Sequence, residues 1–181
     1  MKVGKLCGFL AVAALSAASF AYASGPAVGP KPPKAMEEKV RHELNMLPYY
    51  GVFDDISFRV DGDKVTLTGE VWQPVLKLQT ESAIKNIEGV KQVDDQIEVL
   101  PLSNFDDQIR FSAYRAIYGF GPLSRYRLGT HPAIHIIVKN GNMTLRGVVA
   151  NKMDSEMAFL RANGVHGAFS VKNELRIENS N

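Results

Sequence analysis

One cysteine, Cys7, occurs among the 181 residues. It lies ahead of the apolar stretch "GFLAVAALSAASF", whereas a lipoprotein signal places its cysteine after such a run. A chain cut downstream of it carries no thiol and no lipid, so disulfides, a cysteine-based metal site and a cysteine nucleophile drop out together. Signatures of catalysis are missing too: there is no Gly-x-Ser-x-Gly, no phosphate-binding loop, no Gly-x-Gly-x-x-Gly after a strand and no HExxH. His131 and His135 stand four apart, but Pro132 and the following strand deny them a shared helical face. Asp54-Asp55 and Asp94-Asp95 read as solvated turn residues or helix caps. No catalytic residue, metal site, cofactor or small-molecule substrate is predicted.

The apolar stretch at the N-terminus is short for a bilayer span and ends in small residues. Lys2 and Lys5 precede it and Ala21-Tyr22-Ala23 follows it as a small-x-small site. Together these predict an export signal over residues 1–23, cleaved near Ala23/Ser24. Removing it takes two of the 21 Lys+Arg and none of the 19 Asp+Glu, leaving 19 of each. A net charge of zero argues against nucleic acid as a partner, because such binding needs a positive surface to displace counterions. The balance conceals an asymmetry. Residues 24–101 hold 9 basic and 13 acidic side chains, residues 102–181 hold 10 and 6, which hints at divided labour between halves.

What is present is a repeat. "VDGDKVTLTGEV" (Val60 to Val71) and "VKNGNMTLRGVV" (Val138 to Val149) align without a gap at a shift of 78 positions. Around the first copy, Met36, Val40, Leu44 and Leu47 recur at helical spacing as far as Pro48. Alternation over Ile56 to Val60 and again over Val65 to Gly69, across Asp61-Gly62-Asp63, predicts a hairpin. Pro74 opens a helix that turns Leu76, Ala83, Ile84 and Ile87 inward, and a third strand runs to Leu100. The second copy predicts a helix over Phe105 to Tyr118, strands over Ile134 to Val138 and Met143 to Val149, and the turn Asn140-Gly141. A helix capped by Asn151, with Met153, Met157 and Leu160 as its apolar stripe, precedes a last strand over Val171 to Ile177.

The fold class expected is α+β: two tandem αββαβ domains, each a three-stranded mixed sheet with two helices on one face. Boundaries fall at a flexible Pro/Gly-rich leader (24–35), a first domain (36–101) and a second (102–181). Of the motif glycines, Gly62 and Gly141 suit hairpin turns, and Gly69 and Gly147 suit close helix packing or a bulge.

The core Val60 to Val71, the closing segment Gly89 to Val99, and their second-copy counterparts, with Met143 in place of Val65 and Val171 to Ile177 at the end, resemble the BON domain, named for bacterial osmotically induced and nodulation proteins. The second copy departs from the pattern by an inserted loop at 118–133 and a longer stretch at Gly164 to Val171. The resemblance implies a periplasmic, non-enzymatic protein tied to envelope integrity and osmotic stress, in contact with phospholipid or another envelope component.

The first helices of the two copies differ. One has a buried stripe and a wet face. The other, 105–118, places Phe105, Ile109, Ala113, Ala116 and Ile117 on a core stripe, with Phe111, Tyr114 and Tyr118 opposite, flanked by Arg110 and Arg115. The inserted loop adds Phe120, Arg125, Tyr126 and Arg127. Rings bordered by arginines suit a membrane interface, so these nine residues are the candidate surface for an anionic phospholipid membrane, an envelope protein or a peptidoglycan partner. Packing of the same rings against the first domain is the competing expectation.

Overall fold

The computed structural model describes residues 34–178. The expected export signal and nearly all of the leader lie outside the described residues.

In the first unit α1 (Lys34–Asn45) starts two residues before Met36 and buries Val40 and Leu44. The strands β1 (Asp55–Asp61) and β2 (Lys64–Val71) pair antiparallel. The chain then crosses over through α2 (Pro74–Lys85) and returns as β3 (Gln92–Val99), parallel to β2. A parallel return needs such a crossover, because no short turn can span it. Alternation puts Val65, Leu67 and Val71 of β2 on the covered face, where they meet Val40 and Leu44 of α1 and Leu76, Ile84 and Ile87 of α2.

The second unit repeats the order. α3 (Asn104–Tyr118) is capped by the Ser103 hydroxyl, which accepts from the Asp106 amide at 3.1 Å. β4 (Ile134–Lys139) and β5 (Asn142–Val149) form the hairpin, and α5 (Lys152–Asn163) crosses over. The closing strand is split into β6 (Ser170–Asn173) and β7 (Arg176–Ile177), both parallel to β5. At the break the Asn173 carboxamide accepts from the Leu175 amide, diverting the backbone from the ladder. Between α3 and β4 the insertion is more ordered than a loop: α4 (Gly121–Ser124) leads into a 3-10 turn at Arg125–Arg127, burying Leu123 and Tyr126. The fold is thus α+β with two tandem αββαβ units.

Two expectations fail in the second unit. On α5 the buried face is Asp154, Ser155, Ala158 and Ala162, while Met153 and Leu160 are exposed. Short side chains let this helix approach α3 and the sheet closely, and that proximity outweighs the larger apolar payload of the methionine and leucine. Phe105, placed on the core stripe of α3, is half exposed and stacks on Phe169 with ring centroids 5.8 Å apart.

The segment between α1 and β1 couples the units. Phe53 lies in the hydrophobic core of the second unit, beside Ile117, Tyr118 and Ile134. The Ile136 amide of β4 donates to the Val52 carbonyl at 2.7 Å, so the first unit's loop pairs with a strand of the second.

Candidate functional site

The structure divides the nine aromatic and basic candidates sharply. Arg110, expected beside an open face, is fully buried: it pairs with Asp107 and donates to the Val138 carbonyl. Tyr118 is also buried, its hydroxyl donating to the Ile134 carbonyl, and burial pushes its pKa up. Tyr126 is closed in, donating to Asp154 at 2.6 Å and accepting from the Ala150 amide at 2.9 Å. Arg125 pairs with the same Asp154 carboxylate, and Phe120 sits under the Arg161 guanidinium at 3.9 Å. Tyr114 and Phe111 pack edge-on against Phe53, and Phe111 meets Trp72 as well. The second face of α3 was therefore aromatic largely because the first unit covers it. What remains open is narrower: Phe111 at 44% exposure, Arg115, Arg127 and Leu128 at 77%. Arg127 reaches the Tyr114 hydroxyl at 3.4 Å, which ties the loop to the helix. Among the described residues neither Arg115 nor Arg127 has a carboxylate partner.

A second constellation, absent from the sequence reading, lies where the open faces of the two sheets meet. Arg146 on β5 is held by Asp55 and Glu70 of the first unit and by Glu174 of the second, the outer two ion pairs measuring 3.1 and 2.9 Å. Burial works against its charge, but the three carboxylates hold its pKa above the usual arginine value. The equivalent positions in the other copies are Thr68 for Arg146, and Ala133 and Val148 for Asp55 and Glu70. Divergence between copies has created the clamp, and the charge asymmetry of the two halves finds part of its use inside the chain. Beside it opens a cleft of about 800 Å³ lined by both sheets.

Two more corrections concern the carboxylates and histidines. Asp54 is buried, not solvated: its oxygens accept from the Trp72 amide at 2.7 Å and the Gly51 amide at 3.0 Å. Desolvation raises its pKa against those two hydrogen bonds. Asp94 and Asp95 lie on β3 and pair with Lys64 and Lys77. His135 and His131 anchor the 45–51 segment: His135 Nδ1 lies 3.2 Å from the Gly51 carbonyl and His131 Nε2 lies 2.8 Å from the Asn45 carbonyl. Both rings pack on Tyr50, whose pKa burial raises to about 12. A carbonyl only accepts, so His135 carries its proton on Nδ1. Nothing in the sequence marked these contacts, because they join residues more than 80 positions apart.

His135 makes the joint sensitive to acid. Desolvation lowers its pKa, with Asp55 and the Gly51 carbonyl pulling the other way. Above the unfolded value of about 6.5 both states are neutral; below it the unfolded chain takes a proton that the folded chain refuses, so stability falls with pH. Asp54 works in the opposite sense, since a raised carboxyl pKa favours the folded state as pH drops towards the acid range. Between pH 7 and 5 the unfolded chain titrates at histidine and not at aspartate, whose ordinary value is about 4. Thermal melts over that range are expected to fall in the wild type and to flatten in His135→Gln; an unchanged slope in the variant would remove His135 as the cause.

The described residues thus form a tandem repeat: two copies of one small unit, locked by residues that differ between them, with an open basic-apolar rim and a polar cleft. The BON domain family model matches residues 34–101 and 124–179, and the chain belongs to that family. No curated protein gives a significant match. Among solved structures the chain is similar to CdsD, a structural protein of the type III secretion system of Chlamydia trachomatis, at 12% identity over 78% of this chain and 91% of that one, with a TM-score of 0.31. A structure of the C-terminal domain of CdsD gives 12% identity, coverage of 77% and 96%, and a TM-score of 0.28. At such scores the superpositions say nothing of how this chain is arranged.

Proposed function

We propose that this chain is a non-enzymatic periplasmic envelope protein whose second unit rests on an anionic phospholipid surface and so supports envelope integrity under osmotic stress. The observation that carries the reading is the open rim of α3 and the insertion: Arg115 and Arg127, exposed and without carboxylate partners among the described residues, flank Phe111 and Leu128. Arginines near an anionic surface contribute about 1 kcal/mol each, and exposed apolar side chains add burial at headgroup depth. Membership of the BON family supports the same reading. No helix among the described residues is long and apolar enough to cross a membrane.

The test is flotation with phosphatidylglycerol vesicles against phosphatidylcholine vesicles, for wild type and for Arg115→Glu/Arg127→Glu/Leu128→Ser. All three positions are exposed, so the variant keeps its fold, whereas Tyr118 or Tyr126 would disturb the core. Wild type is expected to float with the anionic vesicles only and to be released by salt, and the variant to stay down. If wild type fails to float, the rim serves a protein or peptidoglycan partner and the lipid reading is lost.

A further inference from the structure

The cleft between the units is a different surface from the rim on α3. One wall is the open face of the first sheet, where β1, β2 and β3 present Ser57, Thr68 and Gln96 in one row, as the strand registers Ser57↔Thr68 and Thr68↔Gln96 require. All three are exposed. The facing wall brings Val148 and Arg176 from the second sheet, with Arg146 between the walls.

The charges there cancel. Asp55, Glu70 and Glu174 enclose Arg146, Glu98 pairs with Lys139, and Lys172 takes the free side of Glu174. With Arg176 added, the region holds four carboxylates and four cations. An anion gains nothing from an Arg146 already surrounded by carboxylates and, at the unpaired Arg176, meets a cleft lined by four carboxylates, while a cation meets carboxylates already paired. An apolar ligand fits no better, because the apolar side chains among the lining residues are Ile56, Ala133, Val148 and the Tyr50 ring, and polar atoms dominate the rest. What the cleft offers is unspent hydrogen bonding: among the described residues the Ser57 and Thr68 hydroxyls and the Arg176 guanidinium have no side-chain partner, and Gln96 uses only its amide nitrogen, on Asp94. Hydroxyls and a carboxamide each donate and accept. A ligand that does the same at many closely spaced points, carries no charge and shows a C–H face to Val148 matches this lining.

We propose that the cleft between the open faces of the two sheets binds a neutral, hydroxyl-rich oligosaccharide, held by Ser57, Thr68, Gln96 and Arg176. The Arg146 clamp positions the walls and takes no direct part. The site stands independently of the lipid surface, since it uses the opposite side of both sheets from α1, α2, α3 and α5.

The experiment is a titration of the purified protein, followed by backbone amide resonances, with chitotetraose and maltotetraose as neutral glycans and with tetralysine and inorganic phosphate as charged controls. At least one tetrasaccharide is expected to shift the amides of residues 57, 68, 96 and 176 saturably, while the charged probes leave them in place. Ser57→Ala/Gln96→Ala, two exposed positions whose loss leaves the core untouched, is expected to weaken that binding at least tenfold. The proposal is overturned if neither glycan moves these amides, if only the charged probes do, or if the folded double variant binds as well as wild type.

Discussion

Replacing Phe53 by alanine is expected to destabilise the second unit by about 3–5 kcal/mol, although the residue belongs to the first. Its ring is 7% exposed and buried among side chains of α3 and β4. Trp72, Phe111 and Tyr114 each meet it edge-on, with centroids 5.4, 5.4 and 6.4 Å away, and such pairs add to the area term. Truncation removes those contacts and leaves a void that a helix fixed at both ends cannot close. Trp72 is the one tryptophan of the chain, so its fluorescence reports on this joint while far-UV dichroism reports on both sheets. In wild type the two probes are expected to give one coincident urea transition. In Phe53→Ala the fluorescence transition is expected at lower urea than the dichroism, because the joint opens before the first unit's own core melts. Phe53→Leu, which keeps most of the volume, is expected to lie between. A midpoint moved by less than about 1 kcal/mol would show that the ring is not part of the second core.

The contrast between what the repeat announced and what it hid follows from range. The hairpins were legible because alternation, Asp-Gly and Asn-Gly turns and a constant shift of 78 positions are local signals. Gly62 and Asn140-Gly141 do take positive φ at those turns. The joint was not legible, because Phe53, Asp54 and Gly51 sit in a segment with no periodicity and find their partners across the fold. The Asp106 carboxylate is a similar case: buried at the start of α3, it accepts from the Asn140 and Gly141 amides at 2.9 and 2.7 Å and so clamps a turn 34 residues away. For α3 the sequence carried a true signal with two meanings. Rings opposite a core stripe mark a second buried or interfacial face, and only the position of Phe53 and Trp72 decides between them. Arg110 shows why: an arginine reads as a surface residue, yet Asp107 one turn earlier and the Val138 carbonyl satisfy two of its nitrogens in the interior. Asp107, itself half-buried, also accepts from the Trp72 indole at 3.2 Å, which binds this pair to the first unit.

Gly147→Ala is expected to cost about 3 kcal/mol or more, and Gly69→Ala in the first copy a similar amount, for a reason other than the expected bulge. The expected bulge is not there: the register runs unbroken through Ile56↔Gly69 and Ile134↔Gly147. Instead the carbonyl of the preceding strand folds over the glycine. A Cβ on Gly147 would stand 2.0 Å from the Ala133 oxygen, and one on Gly69 would stand 2.0 Å from the Asp55 oxygen. Both are backbone atoms that cannot rotate away, and the Ala133 oxygen is further fixed by the Val148 amide at 3.0 Å. The φ values of 116° and 124° lie where only glycine is at ease. Relief requires moving β4 away from β5, which would break the Ile136 to Val52 contact and loosen the joint with the first unit. Gly62→Ala is the matched control, with φ at 63° and nothing within 4 Å of the added carbon; it is expected to cost about 1–2 kcal/mol of backbone strain alone. Thermal melts should therefore place Gly147→Ala roughly 10 °C below wild type and Gly62→Ala only a few degrees below. Equal shifts for the two would mean that conformational strain, rather than the collision with the strand, is what this glycine avoids.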